Sequence, residues 1–179
     1  GRREKMKDRE RLDALEVALE NETREREFYL QNAKRTKNPV GKAMFQQIAD
    51  EELEHYERLK ELHGRWDKDQ KWPESLPLKV ENTRVRDVLK GFVEKEAKMP
   101  PGNEDDLAAV RKAIDFEAAG AVYYADLRDK VTDPKEKAFF NLLADMEHEH
   151  YVSLKDTEEL MTNPAGWFRD KERTGLDGG

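Results

Sequence analysis

The sequence contains an internal repeat at a spacing of 95 residues. Aligning residues 39–60 with residues 134–155 gives twelve identical positions out of 22. In the first copy these are Pro39, Lys42, Ala43, Phe45, Ala49, Asp50, Glu52, Glu54, His55, Tyr56, Leu59 and Lys60. The same spacing continues upstream in the pairs Ala18 and Ala113, Glu22 and Glu117, and Tyr29 and Tyr124. A repeat of this kind predicts two copies of one structural unit that bury their apolar faces against each other.

Each copy has the pattern of a helical hairpin. Apolar residues recur at helical spacing around Glu22 and Glu117. They are Leu15, Ala18, Leu19, Tyr29 and Ala33 in the first copy, and Val110, Ala113, Ile114, Ala121 and Tyr124 in the second. The segments "TKNP" and "VTDP" supply the turns, because each ends in a helix-capping residue followed by a proline at the first helical position.

A long crossover separates the two hairpins. It holds "WPESLPL" and "MPPG", with one helical pattern between them from about residue 84 to residue 97. Two antiparallel pairs joined in this way are typical of the ferritin-like four-helix bundle. We therefore predict an all-α domain over residues 8–160, with hairpins at about 8–63 and 104–160 and a crossover at 64–103. Residues 161–179 are predicted to be a tail, in which Trp167 and Phe168 are candidate docking residues.

Composition excludes several functional classes. The absence of cysteine excludes disulfides, thiolate metal sites and thiol catalysis, and it is compatible with a reducing compartment. A net charge of −7 argues against a nucleic-acid interface, which needs a concentrated basic surface. The apolar runs are too short for a membrane span or a signal peptide. We expect a cytoplasmic protein that binds neither nucleic acids nor membranes.

Carboxylates lie on the predicted core face of each main helix. They are Glu22, Glu52, Glu117 and Glu147, and His55 and His150 each follow one of them by three residues on the same face. Buried carboxylates require a counter-charge. Two divalent ions would supply it, since +4 − 4 = 0. A single Glu-x-x-His pair is common on solvated helices, but its repetition with both glutamate partners in register predicts a dinuclear metal centre.

Mixed carboxylate and imidazole ligands suit iron or manganese. We therefore expect two iron ions per chain, with manganese or a mixed pair as the alternative.

Further residues are candidates for the surroundings of this centre. Asp50 and Asp145 precede the ligand glutamates by two residues, where each is either an acceptor for a facing imidazole N–H or an exposed acid. Tyr29 and Tyr124 lie two turns after Glu22 and Glu117. They are either plain core aromatics or residues that hydrogen-bond a ligand carboxylate or quench an oxidising intermediate.

Glu25 is the position at which the two copies differ in ligand chemistry. It lies one turn beyond Glu22, about 60° off the ligand direction, and is either solvated or a seventh ligand. Its equivalent in the second copy, Gly120, cannot bind a metal and would leave room for an oxidant or solvent.

Four motifs resemble the rubrerythrin group of the ferritin-like superfamily over about residues 8–160. They are "ENETREREFY", "IADEELEHY", "FEAAGAVYY" and "LADMEHEHY". The resemblance implies a di-iron centre that reduces hydrogen peroxide or oxidises ferrous iron. Rubrerythrin also carries a cysteine-ligated iron domain, which this chain lacks, so the resemblance implies an external electron donor or none. Gly120 replaces a glutamate of the third rubrerythrin helix, to which a redox-linked ligand exchange is credited.

We expect a di-iron peroxidase or oxidase that acts on hydrogen peroxide or oxygen. The alternatives are a ferroxidase that stores or handles iron, and a non-enzymatic helical module with a structural metal. We also expect a homodimer, because the crossover carries many apolar residues. These are Trp66, Trp72, Leu76, Leu78, Val85, Val88, Leu89, Phe92 and Val93.

Overall fold

The structure, a computed structural model, describes residues 8–69, 82–95, 102–167 and 169. It consists of five helices, namely α1 (Asp8–Arg35), α2 (Pro39–Asp69), α3 (Val85–Lys95), α4 (Glu104–Lys130) and α5 (Pro134–Thr162). The described ranges contain no strand, which confirms the all-α prediction. None of the helices in these ranges is long and apolar enough to cross a membrane.

Two tightly turned hairpins, α1 with α2 and α4 with α5, form the bundle. In the first turn, Asn38 Oδ1 accepts a hydrogen bond from the backbone N–H of Gly41 at 3.0 Å. In the second, Asp133 Oδ1 accepts from the N–H groups of Lys135 and Glu136 at 2.9 and 3.1 Å. These caps satisfy the free amides of the first helical turn, so each chain reversal occurs where the sequence predicts it.

The core consists of two apolar clusters at opposite ends of the bundle. One includes Tyr29, Phe45 and Leu154, and the other includes Leu15 and Phe140. On every long helix, the predicted metal ligand falls between the residues of one cluster and those of the other. The acidic residues therefore form a layer in the middle of the bundle, where apolar packing on both sides excludes water.

Two predicted boundaries are wrong. Helix α2 continues to Asp69, and Trp66 is buried in the core instead of belonging to the crossover. Beyond α5, Trp167 is only 1% exposed and joins the same apolar cluster as Met161. Trp167 therefore docks on its own chain. The side chain of Phe168 lies outside the described residues.

Helix α3 accounts for part of the apolar content of the crossover. It packs against α2 and α5, and its Val85 and Leu89 are almost completely buried in the bundle core. Val88 and Phe92 are partly buried against the same cluster. The described part of the crossover thus packs on its own subunit, and the homodimer stays a prediction. The remaining predicted crossover residues lie outside the described side chains: Trp72, Leu76, Leu78 and Val93.

Candidate metal centre

The structure brings the six predicted ligands together in the middle of the bundle. α1 contributes Glu22 and α4 contributes Glu117, whereas α2 and α5 each contribute a glutamate and a histidine. All six side chains are at most 1% exposed: Glu22, Glu52, His55, Glu117, Glu147 and His150. The rings of the two histidines lie nearly parallel, with centroids 6.2 Å apart.

The six residues form two overlapping groups, each able to surround one metal ion. The first group consists of Glu22, Glu52, His55 and Glu147, and the second of Glu52, Glu117, Glu147 and His150. Within each group, one potential ligand atom per residue lies within 4.8 Å of all the others. Glu52 and Glu147 belong to both groups. Their carboxylates would be shared between two ions if each group held one, whereas Glu22 and Glu117 belong to one group each.

Most polar side-chain atoms of these six residues have no hydrogen-bond partner among the described residues. Nine of their side-chain atoms are buried without a hydrogen bond among the described residues. They are Glu22 Oε2, both carboxylate oxygens of Glu52 and of Glu147, both ring nitrogens of His55, Glu117 Oε2 and His150 Nδ1. Leaving so many buried acceptors unpaired would cost far more free energy than a small domain can spare. The donor set fits a pair of divalent ions, which would satisfy these atoms.

Two tyrosines fix the orientation of Glu117 and Glu22, the two glutamates that each belong to only one metal-binding group. The hydroxyl of Tyr29 on α1 donates to Glu117 Oε1 on α4 at 2.7 Å. In the mirrored arrangement, the hydroxyl of Tyr124 donates to Glu22 Oε1 at 2.5 Å. Each carboxylate keeps its second oxygen without a hydrogen bond, directed to a metal. The structure thus places the hydroxyl groups of both tyrosines against carboxylates of the two candidate metal-binding groups.

Protonation compensates part of the negative charge in the metal-free site. Burial raises the pKa of Glu147 well above its usual range, and the charge of Glu117 raises it further. Burial opposes the charging of His150, but Glu117 and Glu51 outweigh it and raise the pKa of His150 to about 10. Both shifts favour the protonated forms of Glu147 and His150 when no metal is bound. Metal ligands must be deprotonated, so metal binding would compete with these protons.

The carboxylate that pairs with an imidazole is Glu51, which the sequence analysis missed. His150 Nε2–H donates to Glu51 Oε1 at 3.1 Å, leaving Nδ1 for the metal. Burial raises the pKa of Glu51, but the hydrogen bond from His150 outweighs burial and lowers that pKa overall. The equivalent of Glu51 in the second copy is the buried Met146. This apolar equivalent was the signal that the position faces inward.

Asp50 and Asp145, the predicted imidazole acceptors, lie on the outer faces of their helices. Both are exposed. Their carboxylates accept from Gln46 and Asn141 on the same helices, at 3.0 and 3.3 Å. Because an α-helix turns by about 100° per residue, a position two residues before an inward ligand points away from the core. The acceptor assignment is therefore corrected to Glu51.

A pocket of about 210 Å³ opens between α1 and α4 beside the centre. Glu22, Glu25, Gly120 and Tyr124 are among the residues that line it. Glu25 is half-buried, and burial together with the charges of Glu117 and Glu22 raises its pKa to about 9. Neither metal-binding group includes Glu25. Its role as a seventh ligand stays a prediction, and its carboxyl group is protonated at neutral pH in the metal-free protein.

Gly120 lies in close contact with Glu147 as well as lining the pocket. A Cβ atom at this position would lie 2.5 Å from Glu147 Oε2, which is closer than such atoms approach in proteins. The carboxylate of Glu147 therefore occupies the space that a side chain on α4 would fill. The absence of a side chain at Gly120 lets this bridging carboxylate lie against the helix backbone.

Comparison with known proteins identifies one family. The family model for rubrerythrin matches residues 13–158, which covers most of the chain. The comparisons with curated proteins and with solved structures gave no significant match.

Proposed function

The chain belongs to the rubrerythrin family, and on that premise we propose that it is a di-iron oxidoreductase that reduces hydrogen peroxide or oxygen. The observation that carries the proposal is the sharing of Glu52 and Glu147 between two metal-binding groups. Glu52 and Glu147 would help to hold two metal ions close together, and such a pair would supply chemistry that needs two electrons at once. A single structural ion would not require six convergent ligands.

Iron is the proposed metal because the donor set combines four carboxylates with two imidazoles. When bound, an iron pair supplies two electrons by passing from the ferrous to the ferric state. The reduction of hydrogen peroxide consumes these two electrons and two protons and yields two water molecules. An external one-electron donor would then return the centre to its ferrous state.

The protein side chains have separate tasks in this reaction. Tyr29 and Tyr124 hold Glu117 and Glu22 so that one oxygen of each carboxylate faces a metal. The pocket next to Glu22 is large enough for peroxide or oxygen. Glu25 lines that pocket, and burial raises the pKa of its carboxyl group in the absence of metal. We assign it the delivery of a proton to the reduced oxygen.

The test is rapid mixing of the anaerobic, ferrous protein with hydrogen peroxide or with oxygen. Iron per chain is counted after loading with an excess of ferrous iron. We expect a maximum of two irons per chain and fast oxidation by at least one of the two oxidants. The matched control is Glu52→Ala, which removes a bridging carboxylate and should abolish both results.

Other outcomes distinguish the alternatives. Loading far beyond two irons per chain would instead favour a ferroxidase that stores or handles iron. Binding of two irons without reaction with either oxidant would contradict the proposed activity and favour a structural metal.

A further inference from the structure

A second pocket lies between α1 and α4, apart from the metal centre. Its volume is about 370 Å³, which is enough for a small organic molecule. None of the six candidate metal ligands lines it. Phe28 lines this pocket, and Phe116 lines the pocket beside Glu22. The two rings are in contact, with centroids 5.1 Å apart, and this contact separates the two pockets.

Two basic side chains, Arg35 and Lys112, line the second pocket. The guanidinium group of Arg35 donates to Oδ1 of the buried Asn32 at 2.6 Å, which holds it beside the pocket. The ammonium group of Lys112 lies 5.5 Å from the ring centroid of Phe28. Neither basic side chain forms a salt bridge among the described residues, and no acidic residue lines the pocket. The pocket therefore concentrates positive charge on a chain whose net charge is −7, which favours an anionic ligand.

The second copy of the repeat provides an internal comparison for this charge. At the equivalent position, Asp126 and Lys130 form a salt bridge at 2.7 Å, so that basic residue has an acidic partner. The pocket has two acids fewer and one basic residue more than its equivalent. The corresponding pairs are Gln31 and Asp126, Arg35 and Lys130, Ala108 and Asp13, and Lys112 and Val17.

The two copies also differ in how the helices are bridged at this position. In the second copy, the hydroxyl of Tyr123 on α4 donates to the carbonyl oxygen of Ala14 on α1 at 2.8 Å. The corresponding residues of the first copy are Phe28 and Ala109. Phe28 has no hydroxyl group and cannot form this bond, and the pocket lies between these two residues. The differences in charge and in bridging therefore fall on the same site.

We propose that this pocket binds a small organic anion, whose carboxylate or phosphate group pairs with Arg35 and Lys112. One N–H of Arg35 is taken by Asn32, and the planar guanidinium has further N–H groups for an acidic oxygen. The half-buried ring of Phe28 and the side chain of Ala109 offer apolar surface to the rest of the ligand. The proposal goes beyond the proposed function and does not depend on a bound metal.

The test is isothermal titration calorimetry of the full chain with phenyl phosphate and with benzoate, in the presence of a chelator. Each probe combines an aromatic ring with one of the two anionic groups, so the tighter probe identifies the preferred group. Inorganic phosphate lacks the ring, and benzyl alcohol lacks the charge. We expect one molecule of the preferred probe per chain, and binding of inorganic phosphate and of benzyl alcohol that is weaker by roughly tenfold or more.

Substitutions test whether the anion lies in this pocket. Arg35→Gln and Lys112→Gln should each weaken binding of the preferred probe roughly tenfold, because each removes a charged hydrogen-bond donor. Gln31→Asp places the acid of the second copy beside Arg35 and should weaken binding as well. The matched control is Lys130→Gln, which removes the equivalent basic residue of the other half and should leave the affinity unchanged.

Several results would overturn the proposal. They are the absence of binding of both aromatic anions, an unchanged affinity in Arg35→Gln and Lys112→Gln, or an equal loss in Lys130→Gln. Equal affinity for inorganic phosphate would exclude an organic ligand, and equal affinity for benzyl alcohol would exclude a role for the two basic residues. Because the chelator removes bound metal, these results are distinct from a failure of iron binding or of the proposed activity.

Discussion

The two halves of the bundle share a backbone and a ligand set but differ around the metals. On the first metal-binding group, Glu22 faces the pocket, and the imidazole of His55 has no hydrogen-bond partner among the described residues. On the second, Glu51 fixes the imidazole of His150. The repeat therefore preserves the residues of both candidate metal-binding groups, while its divergence gives each group a different environment. The first group is accessible from the pocket, whereas the second group has its imidazole held by a hydrogen bond to Glu51.

The largest expected effect is on the number of metal ions bound. It should differ between the two glutamates shared by both groups and the two that belong to one group only. Glu52→Ala and Glu147→Ala should each lose both metals, because each carboxylate belongs to both groups. Glu22→Ala and Glu117→Ala should each retain one ion. Elemental analysis after iron reconstitution checks the counts. Two ions in either bridging variant would show that the two positions are independent.

The same bridging variants should not destabilise the metal-free protein strongly. Each removes a buried carboxylate whose oxygens lack hydrogen bonds in the described structure. Removing an unsatisfied buried acid offsets the loss of packing. Urea unfolding with a chelator present should give a free energy of unfolding equal to or above that of the wild type. A large decrease would mean that these carboxylates support the fold itself.

Removing the Glu51 carboxylate, which orients His150, should weaken metal binding only in the group that contains His150. Glu51→Ala is expected to lower the affinity for the ion at His150 by roughly 10- to 100-fold, as is usual when the partner of a metal-binding histidine is lost. Asp50→Asn is the control, since Asp50 is exposed and bonds Gln46. Competition with a chelating indicator measures both affinities. Equal losses of metal affinity in the two variants would indicate that Asp50 orients the imidazole.

Gly120 can be compared with a glycine in the other hairpin. Alanine is favoured over glycine in a helix by roughly 0.5–1 kcal/mol. Gly64→Ala should show this gain and keep normal metal binding, because nothing lies within 4 Å of its new Cβ. In Gly120→Ala the new Cβ meets Glu147 Oε2, so metal binding should weaken several-fold. Thermal unfolding and metal titration of both variants check this, and unchanged binding in Gly120→Ala would show that Glu147 moves aside freely.

A further expected effect is a pH dependence of the free energy of unfolding that comes from Glu25. Its pKa is about 9 in the metal-free folded protein, against an ordinary value of 4.5. Between these values the unfolded chain loses this proton while the folded chain keeps it, so the free energy of unfolding falls as the pH rises. Glu25→Gln should make this slope shallower. Urea unfolding across that pH window measures the slope, and an identical slope in wild type and variant would place Glu25 in solvent.

The repeat made the fold and the metal ligands predictable from the sequence. Apolar periodicity and the caps at Asn38 and Asp133 locate the helices, and the 95-residue spacing selects six ionisable residues that share the core face. Each of these inferences depends on local spacing. The pairing of Glu51 with His150 depends on how α2 approaches α5, which spacing along one helix does not specify.

The burial of Trp66, Trp167 and helix α3 depends on long-range packing in the same way. Asp50 and Asp145 were candidate acceptors because each precedes a ligand glutamate by two residues, but their helical phase points outward and the alternative of an exposed acid holds for both. A residue repeated in both copies therefore needs the correct helical phase before it is assigned to the site.

The central claim is that Glu52 and Glu147 bridge two metals. Anomalous diffraction from crystals of the iron-loaded protein tests it most directly. Two anomalous peaks about 3.5–4 Å apart are expected, one near His55 and one near His150, with both bridging carboxylates between them. A single peak, or no peak among the six residues, would contradict the dinuclear centre.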